Sequence, residues 1–334
     1  MAVTGEVLVL RALGIGDLLV AVPALRGLRR AFPDDHLVLA APAGLAELVT
    51  LVGAVDELLP TPGLGALHWH RDPPKEAVNL HGSGPESIAD LRATTPHRLV
   101  TYRHRDVPDV GGPPWPDGGH EVDRWCRLLH AHGIAADPAD LALHRPATPS
   151  PAPGAVVIHP GAAFPARRWP PERFAEVARR FAADGHHVVV TGSDSERELA
   201  THVAIEAGLP PRDVLAGRTG LGELAALVAD ATLVVCGDTG MGHLATAYGT
   251  PSVVLFGPTP PSRWGPPADR RQHRPLWTGQ AADPFGTRAD PGLLQLSVAD
   301  VLAAVPAGRV TRPTFSCECF SAANAVRWAR RPSP

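Results

Sequence analysis

Short apolar runs alternate with helical patterns along this chain, and the alternation happens twice. In the first half, residues 7–10, 37–40, 77–80 and 98–102 read as strands. Each is brief and apolar and is bounded by polar residues, Gly or Pro. Residues 17–31, 45–52, 86–92 and 121–132 read as helices, and 17–31 is apolar on nearly every side, which predicts a well-buried helix. Residues 137–154 carry few apolar runs and end in the proline-rich PATPSPAPG, a stiff connector. The pattern then restarts, with strands over 156–159, 188–191, 231–236 and 252–256. Helices are expected over 171–183, 195–207, 221–230, 241–248 and 297–305. Such repeating units predict an α/β chain of two Rossmann-like halves with mostly parallel sheets, facing each other across a cleft. The expected division is a first domain over 1–145, a linker over 146–154 and a second domain over 155–306. A tail over 307–334 is expected to be poorly ordered, with a short basic helix conceivable at 321–331.

Composition narrows the class. At 334 residues two domains of roughly 150 are expected. The net charge of −3 gives no electrostatic reason for a nucleic-acid partner. Lys75 is the only lysine, so positive charge is almost wholly arginine, which binds phosphate as a planar fork. Cys126 and Cys236 sit in apolar patterns, while Cys317 and Cys319 are too close together for a zinc pair. His68 and His70 have no obvious further ligands, so no metal is expected. No signal peptide or apolar run of about 18 residues stands out, and no disulfide framework is implied. A cytoplasmic protein is expected, with at most peripheral contact with the inner face of the membrane.

Three turns carry candidate chemistry. The first is VVCGDTGMGHLATAYGTP, from Val234 to Pro251, a strand–turn–helix–strand unit. Its turn lies at the carboxyl edge of a sheet, where open α/β sheets bind ligands, and its helix start offers free N–H groups to phosphate. Thr239 and His243 are four residues apart, which places both on one side of the helix start. An N-cap, Asp238 or Thr239, plus a core histidine is the plainer reading. The second turn is Gly14-Ile15-Gly16-Asp17 after the first strand. It lacks the third glycine of a dinucleotide fingerprint, because Leu19 stands there, so an NAD site is disfavoured. Asp17 is either a simple N-cap or a carboxylate projected into the cleft as a general base. The third is HPGAAFPARRWP, from His159 to Pro170, where Arg167 and Arg168 precede a helix and form either a solvated pair or a diphosphate clamp.

Taken together these segments resemble glycosyltransferase family 9, the ADP-heptose:lipopolysaccharide heptosyltransferase-like enzymes. RALGIGDLLVAVPALRGLRRAFP, HPGAAFPARRWPPERF, LAGRTGLGELAALVADATLVVCGDTGMGHLATAYGTP and FGPTPPSRWGP occur in the family's order. The resemblance implies a GT-B fold with the acceptor in the N-terminal domain and the donor in the C-terminal one. It implies inverting transfer from a nucleotide-diphosphate sugar such as ADP-heptose to a glycan or glycolipid acceptor, with no cofactor or metal. Asp17 then falls at the general base, on the acceptor-side turn of Gly14 and Gly16. Asp238, Thr239, Gly240, Met241, Gly242 and His243 fall at the donor diphosphate, with Arg167 and Arg168 beside it. Ser193, Asp194 and Glu196 resemble the segment that meets the nucleoside. Two departures stand out. Arg167 replaces a usual lysine, and Ala162-Ala163 stand where a hydroxyl residue is common. A sugar-nucleotide epimerase and a catalytically silent nucleotide-sugar-binding protein are the alternative readings.

Overall fold

A computed structural model of the protein describes residues 5–306. The expected tail, with Cys317 and Cys319, lies outside the described residues. The N-terminal half runs β1 (Glu6–Leu10), α1 (Ile15–Ala31), β2 (His36–Ala41), α2 (Ala46–Val52), β3 (Glu57–Pro60), β4 (Glu76–Asn79), α3 (Pro85–Arg92), β5 (Arg98–Val100) and α4 (Glu121–Ala131). The C-terminal half continues with β6 (Val156–His159), α5 (Pro171–Ala183), β7 (Val188–Val190), α6 (Arg197–Ala207), α7 (Leu221–Asp230), β8 (Leu233–Gly237), α8 (Gly240–Tyr248), β9 (Ser252–Leu255), α9 (Pro261–Trp264), β10 (His273–Leu276), α10 (Pro291–Gln295) and α11 (Val298–Ala303).

Each half holds one five-stranded sheet, ordered β3-β2-β1-β4-β5 and β10-β9-β8-β6-β7. Every pairing is parallel, as apolar strands covered on both faces require. Strand order reverses between β1 and β4 in the first sheet and between β6 and β8 in the second. Those are the topological switch points, where loops diverge and leave a crevice at the carboxyl edge. The turns after β1 and β6 and after β4 and β8 therefore flank the two crevices.

Helix α1 buries the run from Leu18 to Leu25 together with Gly27 and Leu28. It packs against both α4 of its own half and α8 of the other. One apolar core consequently runs from Val9 and Leu25 in the first half to Val234, Met241 and Leu244 in the second.

Two strands, β3 and β10, were not visible as apolar runs. β3 reads ELLP with partly exposed side chains, and β10 reads HRPL on a sheet edge, where its proline loses no inward ladder bond. The helix expected from residue 195 begins instead as a 3₁₀ turn at Asp194–Glu196, before α6. Residues 137–154 contain no helix or strand, but they are not a free connector. Leu141 and Leu143 are buried, and the Tyr248 hydroxyl donates to the His144 carbonyl at 3.2 Å. Cys126 and Cys236 are buried free thiols, and burial pushes Cys126 up to about 12.

Candidate active site

Asp17 does not cap α1. The helix opens two residues earlier at Ile15, with Gly14 as its N-cap, and Asp17 lies in the first turn. Its partner is Arg11, which leaves β1 with a side chain only 1% exposed. Arg11 donates from Nη2 to Asp17 Oδ1 at 3.3 Å and from Nε to the Asp17 carbonyl at 2.9 Å. Its third nitrogen donates to the Leu80 carbonyl, and its Cζ lies 4.7 Å from the centroid of the Trp125 ring. Burial lowers the basicity of this guanidinium, and the Asp17 carboxylate opposes that shift. Arg11 thus fixes one carboxylate oxygen and leaves Oδ2 beside Gly14, where a Cβ would sit 3.7 Å from it.

The turn after β4 lies next to this pair. Asn79 is fully buried and donates to Ser87 Oγ at 3.0 Å and Thr101 Oγ1 at 3.1 Å. Its own oxygen accepts the His81 N–H at 3.1 Å. This buried polar network holds His81 in place. Burial, reinforced by the Arg11 charge, lowers the His81 imidazole, while Asp17 and Asp90 oppose it. His81 Nδ1 is buried without a hydrogen-bond partner. A shallow apolar cavity of about 550 Å³ borders the Asp17 turn on the other side, lined by Leu13, Gly14, Ile15, Leu45 and Leu221.

Across the crevice, Thr239 is the N-cap of α8 and its Oγ1 accepts the Met241 N–H at 3.4 Å. Of the two expected caps, Thr239 is the one observed. Asp238 is buried, and burial pushes its carboxyl up to about 6 against the pull of Arg167. Arg167 ends a 3₁₀ turn, and its backbone carbonyl would lie 3.0 Å from a Cβ on Gly237, so glycine at the end of β8 gives that turn room. Its side chain makes one long bond to the Pro284 carbonyl, at 3.4 Å. His243 is largely enclosed; burial, reinforced by His120, holds its imidazole down at about 4. It is therefore neutral at pH 7 and offers hydrogen bonds rather than charge.

The remaining expected residues form a second cluster. Arg168 donates to the Ala162 carbonyl at 2.9 Å. Ser193 and Glu196 form a capping box, with Glu196 Oε2 accepting the Ser193 N–H at 2.8 Å and its Oγ at 2.9 Å. The Glu196 carboxylate also packs on Gly161 and faces the half-buried His159, whose Nδ1 meets Thr191 Oγ1 at 3.1 Å. Asp194 is exposed and held by Arg197 at 2.7 Å.

The two crevices meet at the starts of α1 and α8. A Cβ on Gly16 would lie 3.0 Å from His243 Cδ2, and one on Gly240 would lie 2.9 Å from the Ile15 side chain. Small residues on both sides let the two helix N-termini approach. Glu47 of α2 reaches across to accept the Gly222 N–H at 3.0 Å, at the N-terminus of α7. His120 of the first half bonds the Gly265 carbonyl of the second at 2.8 Å. Sequence reading missed Arg11, His81 and His120. Arg11 and His81 share one signal, position: both lie just beyond the ends of adjacent strands at a switch point. Among the described residues no group of three or more His, Cys, Asp or Glu side chains could hold a metal ion, and no helix is long and apolar enough to cross a membrane.

Comparison with known proteins agrees with this two-sheet architecture. The model of the family described as glycosyltransferase family 9 (heptosyltransferase) matches residues 115–284. Lipopolysaccharide heptosyltransferase 2 of Escherichia coli (strain K12) is 26% identical over 313 residues, covering 82% of this chain and 89% of that protein. The solved glycosyl transferase family 9 structure from Veillonella parvula DSM 2008 superposes with a TM-score of 0.75 at 21% identity, covering 91% of this chain and 97% of that one. The E. coli heptosyltransferase WaaC with ADP superposes with a TM-score of 0.66 at 18% identity, covering 89% and 98%. The two-sheet architecture is the GT-B fold.

Proposed function

The chain belongs to glycosyltransferase family 9, and from that premise we propose that it moves a sugar, with inversion and without a divalent metal, from a nucleotide-diphosphate donor to a cell-envelope glycan or glycolipid. ADP-heptose is the first donor to test, because solved relatives carry ADP or an ADP-heptose analogue. Lipopolysaccharide is the first acceptor to test, because it stands in the names of curated relatives. The N-terminal domain holds the acceptor and the C-terminal domain the donor, in the cytoplasm or at the inner face of the membrane.

One observation carries the reading: the Arg11–Asp17 pair stands across the crevice from the Thr239-capped start of α8. Asp17 Oδ2 takes the proton of the acceptor hydroxyl. The hydroxyl oxygen attacks the anomeric carbon from the face opposite the diphosphate, and the bond to the diphosphate oxygen breaks. Charge developing on that leaving group meets the Gly240 N–H at the start of α8, the Arg167 guanidinium and the His243 imidazole. Arg168, Ser193, Asp194 and Glu196 line the approach of the nucleoside. His81 and the apolar cavity beside Leu13 flank the acceptor.

The test mixes purified protein, ADP-heptose and other nucleotide sugars, and heptose-deficient lipopolysaccharide in excess EDTA. Expected results are nucleotide diphosphate release that depends on acceptor and an inverted anomeric linkage by NMR. Loss on chelation with recovery by magnesium or manganese removes the metal-independent mechanism. Donor isomerised without acceptor points to an epimerase, and binding without turnover to a silent binding protein.

A further inference from the structure

His120 sits on the N-terminal half, outside the strand ends that carry the chemistry, yet both of its ring nitrogens are in use. Nδ1 accepts the Val122 N–H at 3.2 Å, which makes His120 the N-cap of α4. An accepting Nδ1 leaves the ring proton on Nε2, so Nε2 donates to the Gly265 carbonyl at 2.8 Å. A cap alone needs only Ser, Thr, Asp or Asn. Spanning to the other half as well needs a second, more distant polar atom.

What His120 holds is adjacent to the donor site. Gly265 ends α9, a four-residue helix in the segment from Gly257 to Pro267, which contains five prolines and so has few N–H groups to anchor itself. Trp264, the preceding residue, packs edge-on against His243, with ring centroids 5.9 Å apart. A small cavity of about 20 Å³ is lined by both His120 and His243.

We propose that His120 is a positioning residue for the donor diphosphate: by holding Gly265 it fixes Trp264 against His243, so donor affinity is set partly from the opposite half of the molecule. This rests on the reading of Thr239–His243 as the diphosphate site.

Two substitutions separate bridging from capping. His120→Asn keeps an oxygen for the Val122 N–H and is too short for Gly265. His120→Gln keeps an N–H donor near Gly265 and is a poor cap. ADP affinity is measured by calorimetry, with UDP, GDP and dTDP in parallel, and thermal stability is measured on the same samples. The expected result is a crossed pattern. The Asn variant holds its melting temperature but binds the diphosphate roughly three- to tenfold more weakly, as loss of one neutral hydrogen bond predicts. The Gln variant melts lower but binds within about twofold of wild type. Affinity that follows stability in both variants, or that moves in neither, overturns the proposal. His243→Ala serves as the control. If it leaves ADP binding unchanged, or if wild type binds no nucleoside diphosphate, the diphosphate site itself is misassigned and the proposal falls with it. If His243→Ala weakens binding while His120→Asn does not, the site stands and only the role of His120 is lost.

Discussion

Arg11 grips Asp17 at two points, carboxylate Oδ1 at 3.3 Å and backbone carbonyl at 2.9 Å, while keeping its own side chain out of solvent. A carboxylate held this way cannot rotate freely, and its second oxygen is presented in one direction. That is what a base needs for a hydroxyl arriving in a defined pose.

Asp17→Asn is expected to lower transfer by at least about a hundredfold, since a positioned general base is worth roughly 10²–10⁴ in rate. The amide oxygen still satisfies Arg11, so the fold and nucleotide diphosphate affinity stay within about twofold. Turnover within a few-fold of wild type removes Asp17 from the role.

Arg11→Lys keeps the charge but cannot span the Asp17 carboxylate, the Asp17 carbonyl and the Leu80 carbonyl together. Turnover should fall about tenfold with little change in donor affinity. Arg11→Met should also lower stability by about 1–3 kcal/mol, because buried acceptors are left unpaired. Urea unfolding beside steady-state kinetics checks both, and a Lys variant with full turnover contradicts the orienting role.

Arg167→Ala is expected to weaken nucleotide diphosphate binding by about 1.5–3 kcal/mol, the worth of a charge-assisted contact. Arg167 makes one long bond to the Pro284 carbonyl and lies 5.4 Å from the Phe164 ring centroid, which leaves most of its N–H donors to a ligand. Arg167→Lys should recover part of the loss. Unchanged affinity in calorimetry removes Arg167 from the site.

Stability is expected to fall as pH drops from about 6.5 toward 4. Burial holds His243 and His273 down at about 4, whereas the unfolded chain takes those protons near 6.5. Their contribution is complete above the unfolded value and is lost as pH falls toward the folded one. Asp238, pushed up to about 6, works in the opposite sense and regains stability below that pH. Two histidines outweigh one carboxyl over this window. Melting temperatures from pH 4.5 to 7.5 should show the decline, and His273→Gln should make it shallower. A flat profile, or one rising toward acid, contradicts the burial of these rings.

Much of the fold was legible because buried parallel strands must be apolar and their helices must begin at their carboxyl ends. The strands expected over 7–10 and 231–236, and the turns after them, announce themselves this way. β3 and β10 did not, since each lies on a sheet edge with most of its side chains at least partly exposed. The glycines and Asp17 at the switch points were legible because turns restrict residue type. Arg11, His81 and His120 were not. Arg11 stands inside a recognisable segment, but a single arginine after a strand reads as solvated until Asp17, Leu80 and Trp125 are seen around it. His120 looks like a helix start, and its second bond crosses 145 residues of sequence.

The close approach of α1 and α8 has a consequence for engineering. Gly16 faces His243, Ile15 faces Gly240, and apolar side chains of both halves fill one core. A chimera that takes the C-terminal half of a relative to change the sugar used would put a foreign α8 against a native α1. A β-branched residue in place of Gly240, or a larger side chain at Gly16, would force the helix starts apart and misalign acceptor with donor. With the donor in the C-terminal half, as proposed, a transplant of donor specificity is expected to succeed only when α1 and α8 travel as a matched pair.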